Sequence, residues 1–226
     1  MRKYVVGGID LWIPKECVSK KLHEVLLSGN YESSEAGALQ RHLQTGDRLL
    51  DLGSGAGYLC ALGAKMIGGN AVTGVEALPR MAEAAQQNLD RNSDAPGRIV
   101  WGAVVPDAFT GDTAILHTGR AFWASSLEGK GISHDVSQVE VPALRIGALL
   151  AEHRPTVISI DVEGGELGLF DTALPDHVRL IVMEVHPKKY GSSGVKRIFD
   201  GLSAAGLTYS PNGSRGSTVV FERVQE

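Results

Sequence analysis

The chain is 226 residues long, 43% hydrophobic, and carries a formal net charge of −4 at neutral pH. That length and composition fit one domain with a full core, and the mild acidity argues against a nucleic-acid-binding surface. Its two cysteines, Cys17 and Cys60, lie outside any CxxC and suit a reducing cytoplasm; no segment approaches the ~20 apolar residues of a membrane span, and the N-terminus lacks the apolar core of a signal peptide.

Residues 1–47 read as an extension ahead of a main domain over 48–226. Lys3–Ile13 has strand character, with Gly7-Gly8 as a turn or bulge. Ser19–Ser28 reads as a helix in which Leu22, Val25 and Leu26 share a face and Gly29 is the stop. Tyr31 and Glu32 precede a second helix over Ser34–Gln44, so they either cap that helix or reach a bound ligand.

The main domain opens on RLLDLGSGAGY, residues 48–58. An apolar run with Asp51 near its end is followed by glycine at every second place, Gly53, Gly55 and Gly57. This pattern predicts a buried strand, a tight turn and a helix starting near Ala56. Glycines permit positive φ and a close approach of ligand to backbone, and the free N–H groups of the helix start face whatever lies over the turn. A dinucleotide fingerprint reads GxGxxG with an acidic residue about 20 positions on. Here the third glycine comes one place early, and Asp51 would repel a pyrophosphate while holding a cationic group. S-adenosylmethionine (SAM) carries an amine and a sulfonium and no phosphate. A second strand, Ala71–Val75, ends in Glu76, whose carboxylate can accept from both ribose hydroxyls. The cofactor set read from this stretch is Asp51, Gly53, Ser54, Gly55, Gly57, Tyr58, Glu76 and Ala77, joined by Glu32 from the extension.

Strand and helix then alternate. Pro79 suits the first turn of a helix running to Asn92. Ile99–Val104 is the third strand, and Ala103 near its carboxyl end would meet an adenine ring. Residues 106–140 break the rhythm: Ala114–His117 and Ala121–Trp123 form a hairpin around residues 118–120, and Gly129–Ser137 is a loop. This insertion would lie over the active face. Its His117, Trp123, Ser125, Ser126 and His134 are substrate-contact candidates, with surface or packing roles as the alternative. Pro142–His153 reads as a helix.

The second informative stretch is TVISIDVEGGELGL, residues 156–169. Val157, Ile158 and Ile160 form a buried strand; Asp161 ends it on the face of the glycine turn, Glu163 follows, and Glu166 opens a helix with Leu167, Leu169 and Phe170. The fifth strand, Arg179–Val185, leads into Glu184-Val185-His186, and a period of two puts Glu184 and His186 on one side. His186 is the preferred general base, since an unperturbed imidazole titrates near pH ~6.5. Asp161, Glu184 and His186 could instead hold a divalent ion such as Mg2+ that acidifies a substrate hydroxyl. A helix over Gly194–Ala205, a strand Leu207–Tyr209, a loop Ser210–Gly216 and a strand Thr218–Glu222 close the chain. The count predicts a Rossmann-like, doubly wound α/β fold: seven strands, mostly parallel, ending in an antiparallel hairpin.

YE at 31–32, GDRLLDLGSGAGY at 46–58, Glu76 with NLDRN at 88–92, ISIDVEGGEL at 158–167 and MEVH at 183–186 together resemble the FkbM-type methyltransferases. The resemblance covers residues 31 to 190, and the IDVEG segment is its most specific part. It implies a SAM-dependent O-methyltransferase acting on hydroxyls of polyketides, sugars, glycolipids and related metabolites. By position, Asp51, Gly53, Gly55 and Glu76 would bind SAM, and Asp161, Glu163 and His186 would line the reacting end. Two places depart from the pattern. Ser54 and Ala56 stand where the family turn often reads GANxG, and Arg145 follows Leu144 where an Asp is common.

The expected reaction is direct methyl transfer to a hydroxyl of a small-molecule or carbohydrate acceptor, with catalytic residues His186, Asp161 and Glu184 and substrate contacts from Glu163, Trp123 and Ser125. Two rivals stay open: an NAD(P)-dependent oxidoreductase, and a SAM-binding protein without turnover. Amino-group methylation is a third, although no NPPY-like or DPPY-like segment supports a nucleobase amine. Acceptor identity and oligomeric state are not readable from these residues.

Overall fold

The fold is a computed structural model that describes residues 1–118, 137–171 and 173–224. The chain opens with an antiparallel hairpin, β1 (Arg2–Val6) and β2 (Ile9–Ile13), turning at Gly7-Gly8. Helix α1 (Lys20–Ser28) starts with the Ser19 hydroxyl accepting from Leu22 N–H and stops at Gly29 in the left-handed region. Helix α2 (Ser33–His42) follows. The main unit then alternates: β3 (Leu49–Leu52), α3 (Tyr58–Ile67), β4 (Val72–Glu76), α4 (Pro79–Asn92) and β5 (Arg98–Trp101). A small sheet interrupts it, from β6 (Ala103–Val105), β7 (Thr113–Thr118) and β8 (Ser137–Arg145). The alternation resumes with α5 (Ile146–His153), β9 (Val157–Ile160), β10 (Leu180–Glu184) and α6 (Pro187–Ala204), and ends in β11 (Leu207–Arg215) and β12 (Thr218–Arg223).

The central sheet has seven strands in the order β11-β12-β10-β9-β3-β4-β5. β10, β9, β3, β4 and β5 run parallel, and β12 is antiparallel to both β10 and β11. This is the expected Rossmann-like arrangement with its terminal antiparallel pair. The chain starts the sheet at β3, adds β4 and β5 on one side, then returns to add β9 on the other. The switch point therefore lies between the carboxyl ends of β3 and β9, where ligands collect in such sheets.

Alternation along each strand builds two cores. Leu49, Val72, Val157 and Val182 pack with α1–α4 and the first hairpin on one face, while Leu50, Leu52, Val75, Ile158 and Ile181 pack with α5 and α6 on the other. The N-terminal hairpin is tied to α4 by polar bonds as well. Asn88, fully buried, accepts from Trp12 N–H at 2.8 Å and donates to the carbonyls of Trp12 and Ala56 at 3.1 and 2.9 Å.

Four sequence expectations need correction. The third strand is two: at Gly102 (φ 154) the chain leaves the main sheet, and β6 pairs with β8 instead. A Cβ at Gly102 would stand 2.7 Å from the Leu144 side chain and 2.8 Å from the Pro142 carbonyl. Pro142–Arg145 is strand, not helix. Pro142 sits where β8 passes from β7 to β6: its pairing with β7 ends at Pro142 and that with β6 begins at Ala143, so the missing N–H is tolerated. The segment from Glu163 to Phe170 is a run of turns rather than a helix, because Glu163 (φ 53), Gly164 (φ 100) and Gly168 (φ 86) all have positive φ. The last loop is also shorter than expected: β11 continues to Arg215 through an irregularity after Ser210. The second strand of the expected hairpin at 121–123, with Trp123, Ser125, Ser126 and His134, lies outside the described residues.

Candidate active site

A cavity of about 480 Å³ opens at the switch point. Its floor is the turn after β3. Gly53 N–H and Ser54 N–H both donate to the Val75 carbonyl, and Gly55 N–H donates to Glu76 Oε2 at 2.8 Å. Glycine is required at two points of this turn. A Cβ on Gly53 (φ 89) would fall 1.9 Å from the Asp161 carbonyl oxygen, and one on Gly57 (φ 77) would fall 2.9 Å from the Ala85 backbone. The turn is thus wedged between β9 and α4. The helix that follows starts at Tyr58, two residues later than the spacing suggested.

Of the residues read as cofactor contacts, Gly53, Gly55, Glu76, Ala77, Ala103, Asp161 and Glu32 line the cavity. Asp51, Ser54, Gly57 and Tyr58 are buried beneath or beside it. Asp51 shares its strand face with Leu49 and so points under α3, where its carboxylate accepts from Cys60 Sγ at 3.2 Å. Burial pushes this carboxyl up to about 6, against the lowering bonds from Cys60, Ser54 and Ser159. Glu76 is the carboxylate at the turn itself. Its Oε1 accepts from Leu78 N–H at 2.7 Å, and burial raises it to about 7 despite that bond and the one from Gly55. The carboxylate keeps acceptor capacity for a ligand hydroxyl.

The other wall comes from β9, β10 and the last hairpin. Asp161, Glu163 and Glu184 face the cavity. Glu184 accepts from the Ser217 hydroxyl at 2.9 Å. Behind them stands His186, which does not line the cavity. Its Nε2 lies 3.6 Å from Asp161 Oδ1 and 3.5 Å from Glu163 Oε2, and its Nδ1 lies 3.1 Å from Glu166 Oε1. Burial lowers its affinity for a proton, but the bond to Glu166 and the charges of Asp161, Glu166 and Glu163 outweigh this and raise it to about 9. This favours the imidazolium form at neutral pH, with Nδ1 hydrogen-bonded to Glu166 and Nε2 within ion-pair range of Asp161 and Glu163. Asp161 is raised well above the carboxylate range by burial and by Glu163 and Glu184, with His186 acting in the opposite sense. Its Oδ1 is enclosed and has no hydrogen-bond partner among the described residues. One ligand atom each from Asp161, Glu163 and His186 lie within 4.8 Å of one another, a spacing compatible with a divalent ion. Lys189 competes for that place, with Nζ 2.7 Å from Glu163 Oε2.

The roles of several contributors were not read from the sequence. Glu166 is fully buried and orients His186 rather than starting a helix. Glu35 is buried at the start of α2 and accepts from Thr218 Oγ1 at 2.5 Å. Lys21 on α1 and Thr218 on β12 also line the cavity. A buried glutamate inside an otherwise apolar helix face is the signal that could have flagged Glu35. Two of the three non-glycine residues with positive φ, Glu32 (φ 47) and Glu163 (φ 53), stand on the cavity wall. Such strain gathers at functional sites.

The comparisons with known proteins bear on this site. The sequence model of the Methyltransferase FkbM domain matches residues 51–207, well over half of the chain. Protein-L-isoaspartate O-methyltransferase 1 of Arabidopsis thaliana is 42% identical over 113 residues, 49% of this chain and 45% of that protein. Ribosomal protein L11 methyltransferase of Thermus thermophilus is 41% identical over 79 residues, 34% of this chain and 30% of that protein. The chain thus spans less than half the length of these relatives. Among solved structures, Trm1 of Pyrococcus horikoshii in complex with S-adenosyl-L-methionine superposes with a TM-score of 0.53 at 14% identity, over 98% of this chain and 61% of that chain. That likeness is one of fold.

Proposed function

The chain belongs to the FkbM methyltransferase domain family, and on that premise we propose that it transfers a methyl group from SAM to a hydroxyl oxygen of a small-molecule or carbohydrate acceptor. The observation that carries the reading is the juxtaposition of the Gly53–Gly57 turn and the Glu76 and Asp161 side chains around one cavity. SAM fits these residues. Glu76 has acceptor capacity left for a ribose hydroxyl, and Ala77 and Ala103 offer apolar surface beyond it. The cofactor when bound supplies a methyl group on a positively charged sulfur, so that a carbon–oxygen bond forms as the carbon–sulfur bond breaks.

The protein's part is to position and to manage one proton. The turn and Glu76 fix the nucleoside, and Glu32, Glu35 and Glu184 bound the space left for the acceptor. Bringing two reactants into line accounts for much of such a rate enhancement. Asp161 takes the acceptor's proton, since it stands at the end of β9 beside the glycine turn and faces the cavity. His186, already protonated, holds Asp161 and Glu163 in place and is itself held by Glu166. A divalent ion at Asp161, Glu163 and His186 is a second reading, favoured by the grouping of their ligand atoms; it would acidify the acceptor hydroxyl. Asp161→Asn tests the base: turnover should fall about a hundredfold with affinity for S-adenosylhomocysteine kept within a few-fold. Unchanged turnover would refute the assignment, and restoration of wild-type turnover on adding magnesium would favour the ion.

A further inference from the structure

The walls of the cavity are strongly acidic. Six carboxylate side chains face it, from Glu32, Glu35, Glu76, Asp161, Glu163 and Glu184, while Lys21 is the one lysine or arginine lining it among the described residues. The cavity and the glycine turn define the site; the carboxylates decide what charge it accepts. In sequence, residues 119–136 hold two basic residues, Arg120 and Lys130, and two acidic ones, Glu128 and Asp135, and so add no net charge with histidine neutral.

These carboxylates are not equally engaged. Glu76 is bonded to the turn, and Asp161 and Glu163 lie against His186, with Lys189 also on Glu163. Glu32, Glu35 and Glu184 form no ion pair among the described residues. Glu35 is 8% exposed and has the Thr218 hydroxyl as its side-chain donor, and Glu184 has that of Ser217. Glu184 pairs in register with Thr218, so Glu35 and Glu184 meet at one end of the cavity. Glu76 stands at the other. Three strand intervals separate β4 from β10, roughly 14 Å at ~4.8 Å per interval. That separation puts Glu35 and Glu184 beyond the nucleoside, at the end where the acceptor binds. Glu35 is buried and Glu184 half-buried; burying a carboxylate without a counter-charge is costly, and a bound cation relieves it.

We propose that the acceptor is itself cationic: an amine-bearing polyhydroxylated molecule of the amino-sugar class, whose ammonium is held by Glu35 and Glu184. This rests on the methyltransferase reading above and narrows its acceptor. The same wall repels carboxylated and phosphorylated acceptors, because like charges brought together in a partly enclosed site disfavour binding strongly.

The test is calorimetric and is done in the presence of EDTA. The full chain is first titrated with S-adenosylhomocysteine, then the saturated complex is titrated with glucosamine and neamine, with their N-acetylated forms, and with glucuronic acid. The amine probes should bind at least about tenfold more tightly than the acetylated ones, and glucuronic acid should not bind detectably. Glu35→Gln and Glu184→Gln should each erode that advantage at least about threefold, with S-adenosylhomocysteine affinity unchanged as the check on folding. The wild-type comparison decides even where a variant fails to fold. Equal or tighter binding of the neutral or acidic probes, no binding of either amine probe, or binding that appears only with added magnesium would overturn the proposal. Failure to bind S-adenosylhomocysteine at all would overturn the cofactor reading and this one with it, and is read out in the first titration.

Discussion

Replacing Asn88 by alanine isolates the joint between the N-terminal hairpin and the glycine turn. The side chain is fully buried on α4 and makes three hydrogen bonds, two to the Trp12 backbone and one to the Ala56 carbonyl. Truncation removes all three. The Ala56 carbonyl is left buried and unpaired, at a cost of about 1–3 kcal/mol, and each part-buried Trp12 group loses about 1 kcal/mol. The expected loss is therefore roughly 3–5 kcal/mol, a large share of the ~5–15 kcal/mol that holds a typical domain together. Asn92→Ala is the control. It bonds the Asp10 N–H and carbonyl at 3.1 and 2.8 Å and donates to the Asn88 carbonyl at 2.8 Å, all in part-buried positions, and does not touch the turn. Urea denaturation should show Asn88→Ala losing more than Asn92→Ala, because only Asn88 leaves a fully buried carbonyl unpaired. Because Ala56 belongs to the turn, S-adenosylhomocysteine affinity should fall several-fold in Asn88→Ala alone. Equal losses in the two variants, or a loss below ~0.5 kcal/mol for Asn88→Ala, would refute the reasoning, since a surface-like position costs no more than that.

Two further perturbations follow from the same geometry. Gly53→Ala places a Cβ 1.9 Å from the Asp161 carbonyl, whereas Gly46→Ala, also at positive φ (95), meets nothing within 4 Å. Thermal melts should therefore show a far larger drop for Gly53→Ala than for Gly46→Ala, and similar drops would mean that β3 and β9 are less tightly apposed. His186 titrates near 9 in the fold, above the ~6.5 of an unfolded imidazole. Folding thus takes up a proton, so its stabilisation is complete below pH ~6.5 and is lost as pH rises through about 9. The difference in urea midpoint between wild type and His186→Gln should be widest near pH 6.5 and close toward pH 10. A difference that stays constant with pH would contradict the imidazolium assignment.

What could be read from the residues alone was local. Pro79 and Asn92 bound α4 as the helix signals indicate, and the glycine turn with Glu76 is written in contiguous spacing. The seven-strand count followed from alternating β and α. What escaped was set by distant partners. The apolar run 99–104 carries no mark of the change of sheet at Gly102, which is fixed by Leu144 and Pro142 some 40 residues on. Glu166 looks like a helix starter until His186, 20 residues later, claims it. The proton affinity of His186 depends on three carboxylates, only one of which adjoins a strand end. Asp51 is legible as a strand-end carboxylate, but its burial under α3 follows from the parity of β3 against the helix layer. The acidic wall is assembled from the start of α2 and the residue before it, the ends of β4 and β10, and the turn after β9, so no single stretch announces it.

The most direct test of the central claim is a calorimetric titration of the chain with S-adenosylhomocysteine, with NAD as control, repeated on Glu76→Ala. Saturable one-to-one binding of S-adenosylhomocysteine, none of NAD, and a loss of at least about tenfold in the variant is the predicted result. Binding of NAD in place of S-adenosylhomocysteine, or S-adenosylhomocysteine affinity untouched by Glu76→Ala, would contradict it.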